Sequence, residues 1–493
     1  MKIDLYRLRE YLGDLFAEER NVLPDEFSSC DVKVRHLSPG GLFIAFDDEE
    51  NDGIEHIPDA VAAGAAAIAT TLDFSELPPE ARGLGYIRID RPTLFAARAA
   101  ELFAGFPADK LKLYAVTGTN GKTTTAMLLH TLLQNHFGSA GLISTVGCDT
   151  GNEFRQTGYT TPPPFEVERL FNEMLANGIP AAALENSSHG LDQYRTASAK
   201  FEAAIFTNLT GDHLDYHHTM DNYFSAKRRM FLELVKPEGT AVINIDDPWG
   251  KLLLEQTRES GVRAIGFGRS EQADYRIMDV CCSAANSIYK IAGGDRDPFE
   301  VITPLCGEHN VYNTCGVVLA GLSTGIPLET VLSSIAADVQ IPGRLEHLTN
   351  GRIDCFVDYA HTDDALARVI SAIRPWCNGK LVVLFGAGGD RDHTKRPRMG
   401  KVAASGADVV VVTSDNPRTE NPDSIIRDIL AGIPSGTDVR VEPDRRAAIK
   451  LALTEIARPG DIVLLAGKGH EDYQEINSVR THLDDREEAW KWL

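Results

Sequence analysis

No stretch of about 18 consecutive apolar residues occurs anywhere in the sequence, so a membrane-spanning helix is not expected. Cysteines are few and scattered. The eight of them (Cys30, Cys148, Cys281, Cys282, Cys306, Cys315, Cys355 and Cys377) form no CxxC element, which argues against a zinc ribbon or disulfide frame and for a reducing compartment. Positive charge is also short: 49 Lys and Arg stand against 71 Asp and Glu, a formal net charge of -22. A nucleic-acid backbone or an anionic membrane demands clustered cations that this balance does not supply, so neither is expected as a partner. A small anion needs only a few local cations and a helix N-terminus, and is not excluded. The opening segment MKIDLYRLREYLGDLF breaks its apolar residues with charges at short intervals and does not read as a secretory signal. A cytoplasmic location is the expectation. Short repeats and low-complexity segments are lacking too.

What is there is an ordinary globular composition, 43% hydrophobic and 24% charged, in a chain of 493 residues. At about 150 residues per domain, that length predicts roughly three domains. Residues 1–107 read as a small α/β domain: the turn Pro39-Gly40-Gly41 leads into a strand at 42–46, and an alanine-rich helix runs from Ile57 to about Ala67. A break falls at Ala104-Gly105-Phe106-Pro107. Residues 108–340 alternate strands (114–116, 181–184, 203–206, 241–245) with helical stretches, the pattern of a mostly parallel sheet covered on both faces. After Ile341-Pro342-Gly343 the alternation restarts, with strands at 353–357, 381–385, 409–413 and 462–465, and predicts a second doubly wound domain over 341–493. The fold class is α/β.

Thr117-Gly118-Thr119-Asn120-Gly121-Lys122-Thr123-Thr124 follows one of these strands and opens a helix-like run at 126–133. Glycines let backbone N–H groups turn in on phosphate oxygens, and the helix start adds a favourable dipole. Lys122 is then expected to reach the terminal phosphates, with the Thr123 or Thr124 hydroxyl offered to Mg2+. The usual spacing places a glycine where this chain has Val116, so the loop is a shortened P-loop. A plain Gly/Thr turn is the competing reading; strand, GKT and helix standing in the right order disfavour it.

Two later segments supply candidate ligands. Glu185 lies just past an apolar strand in Leu184-Glu185-Asn186-Ser187-Ser188-His189, and open α/β sheets bind ligands at the carboxyl ends of their strands. His213 lies in TNLTGDHLDYHH, where a second strand ends in His and Asp. His213 and His217 at i, i+4 also suggest zinc, but the HExxH of zinc proteases is absent. Beside a phosphate loop and a strand-end glutamate, Mg2+ held by Glu185 and His213 is the preferred reading. Lys227, in Tyr223-Phe224-Ser225-Ala226-Lys227, is placed on a helix and by residue type alone reads as a solvated surface lysine.

Together the ordered segments TGTNGKTTT, TTP at 160–162, SSHGLDQYR, TNLTGDHLDYH, YFSAK, NVYN, PGR, DYAHT, GGDRD, DNPR and GKGHEDYQ resemble the Mur ligases over nearly the whole chain. Within that family they are most similar to the MurE type, which adds the third residue to UDP-N-acetylmuramoyl-L-alanyl-D-glutamate. The resemblance implies an N-terminal UDP-binding domain, a central P-loop ATPase domain and a C-terminal Rossmann-like domain that closes on the site. It implies an ATP-dependent ligase of peptidoglycan precursor synthesis, acting as a monomer with Mg2+ on the UDP-muramoyl-dipeptide and meso-diaminopimelate. For ATP it assigns Gly118, Thr119, Asn120, Gly121, Lys122, Thr123 and Thr124, with Asn310, Asn313, Arg344, Asp358 and His361. Arg35, Thr160, Thr161, Ser187, Gln193, Arg195 and Lys227 fall to the muramoyl-peptide. Lys122, Glu185, His213 and Lys227 become the catalytic set. Family members carbamylate the lysine corresponding to Lys227, turning an ammonium into an oxygen ligand, so N6-carboxylysine joins Thr123, Glu185 and His213 as the implied metal set. Arg391, Asp415, Asn416, Arg418, Gly467 and Glu471 are assigned to the incoming amino acid. DNPR at 415–418 accompanies meso-diaminopimelate in the family. An arginine suits the distal carboxylate that lysine lacks, while a neighbouring acid reads its ammonium. Taken alone, the same four residues read as a capped turn.

Four departures stand out. Lys33-Val34-Arg35 replaces the usual Asp-Ser-Arg that helps hold uridine, Asn186 replaces a valine, Asp363 a proline, and His309 a phenylalanine. None removes a catalytic ligand. The first keeps open a paralogue that joins an amino acid to a different acid. A folyl-polyglutamate synthetase shares the ATPase architecture but needs neither the N-terminal domain nor DNPR. A non-catalytic scaffold has no use for Lys122, Glu185, His213 and Lys227, and the acidic charge and loop spacing disfavour a nucleic-acid motor.

Overall fold

Short runs of valine, isoleucine, leucine and alanine bounded by turn residues form the strands, as sheets covered on both faces require. Every residue of Leu381–Phe385, Val409–Val412 and Ile462–Ala466 is buried. The computed structural model describes residues 2–48, 51–283, 286–337 and 341–493, and three sheets organise them.

The N-terminal sheet has five strands in the order Phe16–Arg20, Gly85–Ile89, Ala67–Thr70, Leu42–Ala45, Cys30–Asp31, parallel except for the first pair. The alanine-rich helix is shorter than its sequence predicts. It spans Ile57–Ala62, and Gly64 (φ 87°) turns the chain so that Ala67–Thr70 becomes a strand beside Leu42–Ala45. Alanine favours helix only weakly, and a slot in a buried sheet overrides it. Helix Pro92–Ala104 ends on Gly105 (φ 82°).

Eleven strands form the central sheet, ordered Phe154–Arg155, Gly147–Asp149, Gly141–Ser144, Ala181–Glu185, Lys112–Thr117, Phe201–Phe206, Val235–Asn244, Ala264–Gly268, Tyr275–Cys282, Ser287–Gly293, Arg296–Thr303. Its middle is parallel, while both ends finish in antiparallel flaps. The flap over 275–303 was not anticipated; its strands pair antiparallel in succession. Alternation fixes the faces: Leu113 and Ala115 enter one core, Tyr114 and Val116 the other. Lys112–Thr117 lies between two strands that come much later in the chain, so strand order reverses beside it. Such a switch point leaves a crevice at the carboxyl ends of the strands.

The C-terminal sheet has six strands, in the order Glu346–Thr349, Asp354–Asp358, Ile462–Ala466, Leu381–Phe385, Val409–Val412, Val439–Val441, with only the first running antiparallel. Its carboxyl ends deliver Asp358, Gly467 and residues 413–418 to one side. Among the described residues, no helix is long and apolar enough to cross a membrane.

Candidate active site

The crevice of the central sheet holds the phosphate loop. Gly118 (φ 155°) and Gly121 (φ 85°) have no room for a side chain: a Cβ would lie 1.9 Å from Thr207 Oγ1 at the first and 2.3 Å from Asn313 Oδ1 at the second. The loop is pinned from the next strand end. Thr119 N–H donates to the Asn208 carbonyl (2.8 Å) and Asn120 N–H to Asn208 Oδ1 (3.0 Å). Thr123 and Thr124 are buried in the first turn of helix Lys122–Phe137. Asn310 and Asn313, bonded to each other at 3.0 Å, approach from helix Glu308–Ser323.

Glu185 ends its strand beside this loop and accepts four hydrogen bonds. Oε1 takes the hydroxyls of Thr123 (3.2 Å) and Thr145 (3.1 Å); Oε2 takes the Ser144 hydroxyl (2.9 Å) and the Thr145 N–H (3.1 Å). Ser144 and Thr145 were missed from sequence, although they too stand at a strand's carboxyl end. Lys122 Nζ donates to the Thr119 carbonyl (2.9 Å) and Lys227 Nζ to the Gly118 carbonyl (2.8 Å). Lys227 is not the solvated lysine its type suggests: it is 1% exposed. Burial, reinforced by the Lys122 charge, lowers its proton affinity well below an ordinary lysine's, and burial lowers that of Lys122. His213 (φ 52°) caps a short helix with its ring against His189 and Tyr223. Desolvation pushes it down to about 4, against the pull of Asp212, so it is a neutral imidazole. No hydrogen bond joins His213 to Glu185.

Among the described residues no three His, Cys, Asp or Glu side chains converge as a metal cage. The donor set suits Mg2+, which keeps waters and shares substrate phosphate oxygens. Of the three residues assigned to it, Thr123 and Glu185 meet at 3.2 Å and offer oxygen donors of that kind.

Residues assigned to the muramoyl-peptide form one network beside Glu185. Thr161 Oγ1 donates to the Glu185 carbonyl (2.9 Å) and accepts from Ser187 N–H (3.0 Å), and Thr160 meets Thr145 at 2.8 Å. Arg195 donates to the Thr161 carbonyl (2.8 Å) and to Gln193 Oε1. Arg35 stands apart, exposed, on the wall of a cavity of about 210 Å³ between the N-terminal and central sheets. Lys33, His36, Arg155 and Arg169 line the same cavity, with Asp31 bonded to Arg169. Arg155 and Arg169 escaped the sequence reading because they lie far along the chain from Lys33 and Arg35.

The C-terminal sheet faces the loop across a cleft. Arg344 Nη2 donates to Thr123 Oγ1 (3.1 Å), and Asp364 accepts from Asn120 Nδ2 and Thr210 Oγ1 (3.3 Å each). Asp358 accepts the N–H groups of Leu345 (2.7 Å) and Ala360 (2.8 Å); burial pushes its carboxyl up to about 6, against those bonds and Arg344. His361 donates from Nδ1 to the Tyr359 carbonyl (2.9 Å), and burial lowers its pKa. The residues assigned to the amino acid gather behind. Arg418 (φ 53°) donates to the Gly389 carbonyl (2.8 Å) and shares the neighbourhood of Gly388 with exposed Arg391. Asp415 packs where a Cβ on Gly467 (φ 113°) would fall 2.5 Å from its Oδ2, and Asn416 Nδ2 donates to Glu471 (2.7 Å).

Two departures find local reasons. Asp363, in place of proline, caps no helix but pairs with Arg398 at 3.1 Å. His309 sits under Gly307 close to Ala372, and burial pushes it down to about 4, with Arg368 adding to the effect. Asn186 is fully buried with Nδ2 3.5 Å from Met230 Sδ; nothing in the structure explains why it stands for valine.

Residues 116–321 match the family model of the Mur ligase middle domain, and residues 343–469 that of the Mur ligase glutamate ligase domain. A UDP-N-acetylmuramoyl-L-alanyl-D-glutamate--2,6-diaminopimelate ligase of Gloeobacter violaceus is 40% identical, over 98% of this chain and 97% of the relative. One of the same name, numbered 1, from Clostridium acetobutylicum is 36% identical over 98% of both chains. A solved structure bearing that ligase name is 32% identical, covers 100% of this chain and 98% of its own, and superposes with a TM-score of 0.68. MurF from Acinetobacter baumannii shares the fold at 18% identity, with a TM-score of 0.65 over 94% of this chain and 95% of the other.

Proposed function

The chain belongs to the Mur ligase family, and from that premise we propose that it joins meso-diaminopimelate to UDP-N-acetylmuramoyl-L-alanyl-D-glutamate with consumption of ATP, in peptidoglycan precursor synthesis. One observation carries the reading. A carboxylate with four hydrogen bonds, Glu185, stands at the mouth of a phosphate loop beside half-buried Lys122 and buried Lys227, neither of which is ion-paired to a described residue. Cations so placed await charge brought by a ligand.

The acceptor carboxylate attacks the γ-phosphorus of ATP, the bond to the β,γ-bridging oxygen breaks, and an acyl phosphate and ADP result. Lys122 and Arg344 meet the charge spread over the phosphoryl oxygens from opposite sides of the cleft. Thr123, Glu185 and His213 would hold Mg2+, which would supply further neutralisation of phosphate charge. The incoming amine, having lost a proton, adds to the acyl carbonyl, and the adduct expels phosphate to leave the amide. Arg391 and Arg418 hold the distal carboxylate of the amino acid, and Asp415 and Glu471 receive its ammonium, with Asn416 bonded to Glu471. Because the two subsites lie on different sheets, closure of the cleft brings amine and acyl group together.

Lys227 is buried without an ion-pair partner among the described residues, which disfavours its ammonium form, and addition of its amine to CO2 with release of a proton would give N6-carboxylysine at that position. Its check is a 13C carbamate resonance from labelled bicarbonate that is missing from Lys227→Arg. A cytoplasmic monomer completes the reading; sedimentation of the purified chain tests the oligomeric state.

The main experiment is ATP-dependent phosphate release with the UDP-muramoyl-dipeptide, comparing meso-diaminopimelate, L-lysine and no amino acid. Release with diaminopimelate alone, and a product heavier by one such residue, is expected. Release with lysine instead sinks the specificity. Lys33-Val34-Arg35 on the cavity wall favours a second reading, a ligase of this family acting on another carboxylate acceptor. Silence with both amino acids, from protein that still binds ATP and Mg2+, would favour it.

A further inference from the structure

Beneath the residues assigned to the incoming amino acid lies a cation without access to solvent. Lys468 is 0% exposed; its Nζ is 3.3 Å from Asn416 Oδ1 and 3.3 Å from Glu471 Oε2, and it donates to the Tyr473 carbonyl. Three acceptors use all three donors of an ammonium. Two of those acceptors are bonded to each other, since Asn416 Nδ2 donates to the same Glu471 oxygen at 2.7 Å. Asn416 Oδ1 accepts a second bond, from the Glu475 N–H at 3.0 Å. The amide is thereby fixed end for end: its oxygen lies among donors and its nitrogen faces the carboxylate. Asp415 belongs to the same cluster, with Gly467 leaving the room its carboxylate occupies.

Charge points the same way. Burial and the nearby Asp415 push the Glu471 carboxyl up, while Lys468 and Asn416 oppose them. Lys468 is also the largest favourable influence on ionised Asp415, ahead of Arg445. An ammonium fully withdrawn from water is costly unless paired, so its place beneath two acids calls for more than packing. Lys468 lies in GKGHEDYQ, yet the assignment of that motif reached only Gly467 and Glu471.

We propose that Lys468 is a positioning residue of amino-acid recognition: directly, and through the Asn416 amide it fixes, it orients the Glu471 carboxylate to receive the ammonium group of the incoming diamino acid, without touching that substrate itself. The proposal rests on the reading of residues 415–418 and Glu471 as the amino-acid subsite.

The test is initial-rate kinetics of the full chain with the UDP-muramoyl-dipeptide, ATP, Mg2+ and meso-diaminopimelate, for wild type, Lys468→Met, Glu471→Gln and the double variant. Lys468→Met should raise KM for diaminopimelate roughly tenfold or more, the worth of one or two charge-assisted hydrogen bonds, with KM for ATP within about twofold. In the Glu471→Gln background the same replacement should change that KM by less than about threefold, because the group it serves is already neutral. An unchanged KM in Lys468→Met overturns the proposal, as does full additivity in the double variant. So does a parallel fall of kcat with a rise of every KM, the signature of a merely structural lysine. Should Lys468→Met not fold, Lys468→Gln carries the same expectation, and partly exposed Glu471→Gln alone still decides: no rise in the amino-acid KM overturns the proposal. A wild-type enzyme without diaminopimelate-dependent phosphate release overturns the subsite reading instead, a result distinct from each of these.

Discussion

At the phosphate loop, half-buried Lys122 and buried Lys227 bond backbone carbonyls, whereas Lys468 and Arg445 of the C-terminal domain are buried against carboxylates. Arg445 and Asp485 are both 0% exposed and joined at 2.6 Å, and the arginine also donates to the carbonyls of Ser414 and Ala466. The nucleotide side therefore keeps positive charge uncompensated until a polyanion arrives, while the amino-acid side balances its charges beforehand. Removing a cation from the first should cost activity and spare the fold. Removing one from the second should cost the fold as well.

The largest effect expected is in Lys122→Ala, with kcat for phosphate release lower on the order of 10²–10³-fold. Its thermal midpoint should stay level, since Lys122 bonds one backbone carbonyl and no carboxylate among the described residues. A midpoint that falls in step with activity would break the contrast. Next comes Arg445→Met, which strands Asp485 and should lower unfolding free energy in urea by about 3–5 kcal/mol. Replacing both partners by apolar residues should restore most of that loss.

A smaller effect sharpens the comparison at a third kind of site. Glu168 has no counter-ion among the described residues: it is buried with Oε2 unpartnered, and burial pushes its carboxyl from 4.5 up to about 8, against a hydrogen bond from Ser198. Between those values the folded protein holds a proton that the unfolded chain has released. Stability should therefore fall as pH rises through that window and level off above it. Glu168→Gln should flatten the melting-temperature profile across the window; an equally steep profile would show that another group is responsible. Smallest is Asp363→Pro, which removes a half-exposed pair with Arg398 and should change stability by no more than about 1 kcal/mol in a urea titration.

Much of this arrangement was legible in advance because it is written in local order. The phosphate loop, strand-end Glu185 and the restart after Gly343 all follow from an apolar run meeting a polar turn. Lys227 was misread from its residue type, yet the pattern held a clue. Tyr223, Phe224, Ala226, Met230 and Phe231 form the buried stripe of helix Met220–Glu233, and Lys227 falls within it. Ser144 and Thr145 carry no charge to advertise them, and their partner is 40 residues away. The helix read through Ala67 failed because alanine is neutral between a helix and a crowded strand, and only the neighbouring strands decide. Clusters drawn from several elements, such as the cavity around Arg35 and Arg169, have no sequence signature.

The placement of Lys112–Thr117 also has a consequence for the chain while it is being made. That strand pairs on one edge with Ala181–Glu185 and on the other with Phe201–Phe206, and with nothing synthesised before them. The N-terminal sheet is complete by residue 89 and can fold as it leaves the ribosome. The phosphate-loop strand then waits, at about 5–20 residues per second, on the order of ten seconds with both edges open. Non-local pairing of this kind slows folding and leaves apolar strands exposed to other chains in the interval. A nascent chain arrested before residue 201 should thus carry a folded N-terminal unit and a sticky, protease-sensitive segment behind it, and gain its nucleotide site only once the second edge is closed.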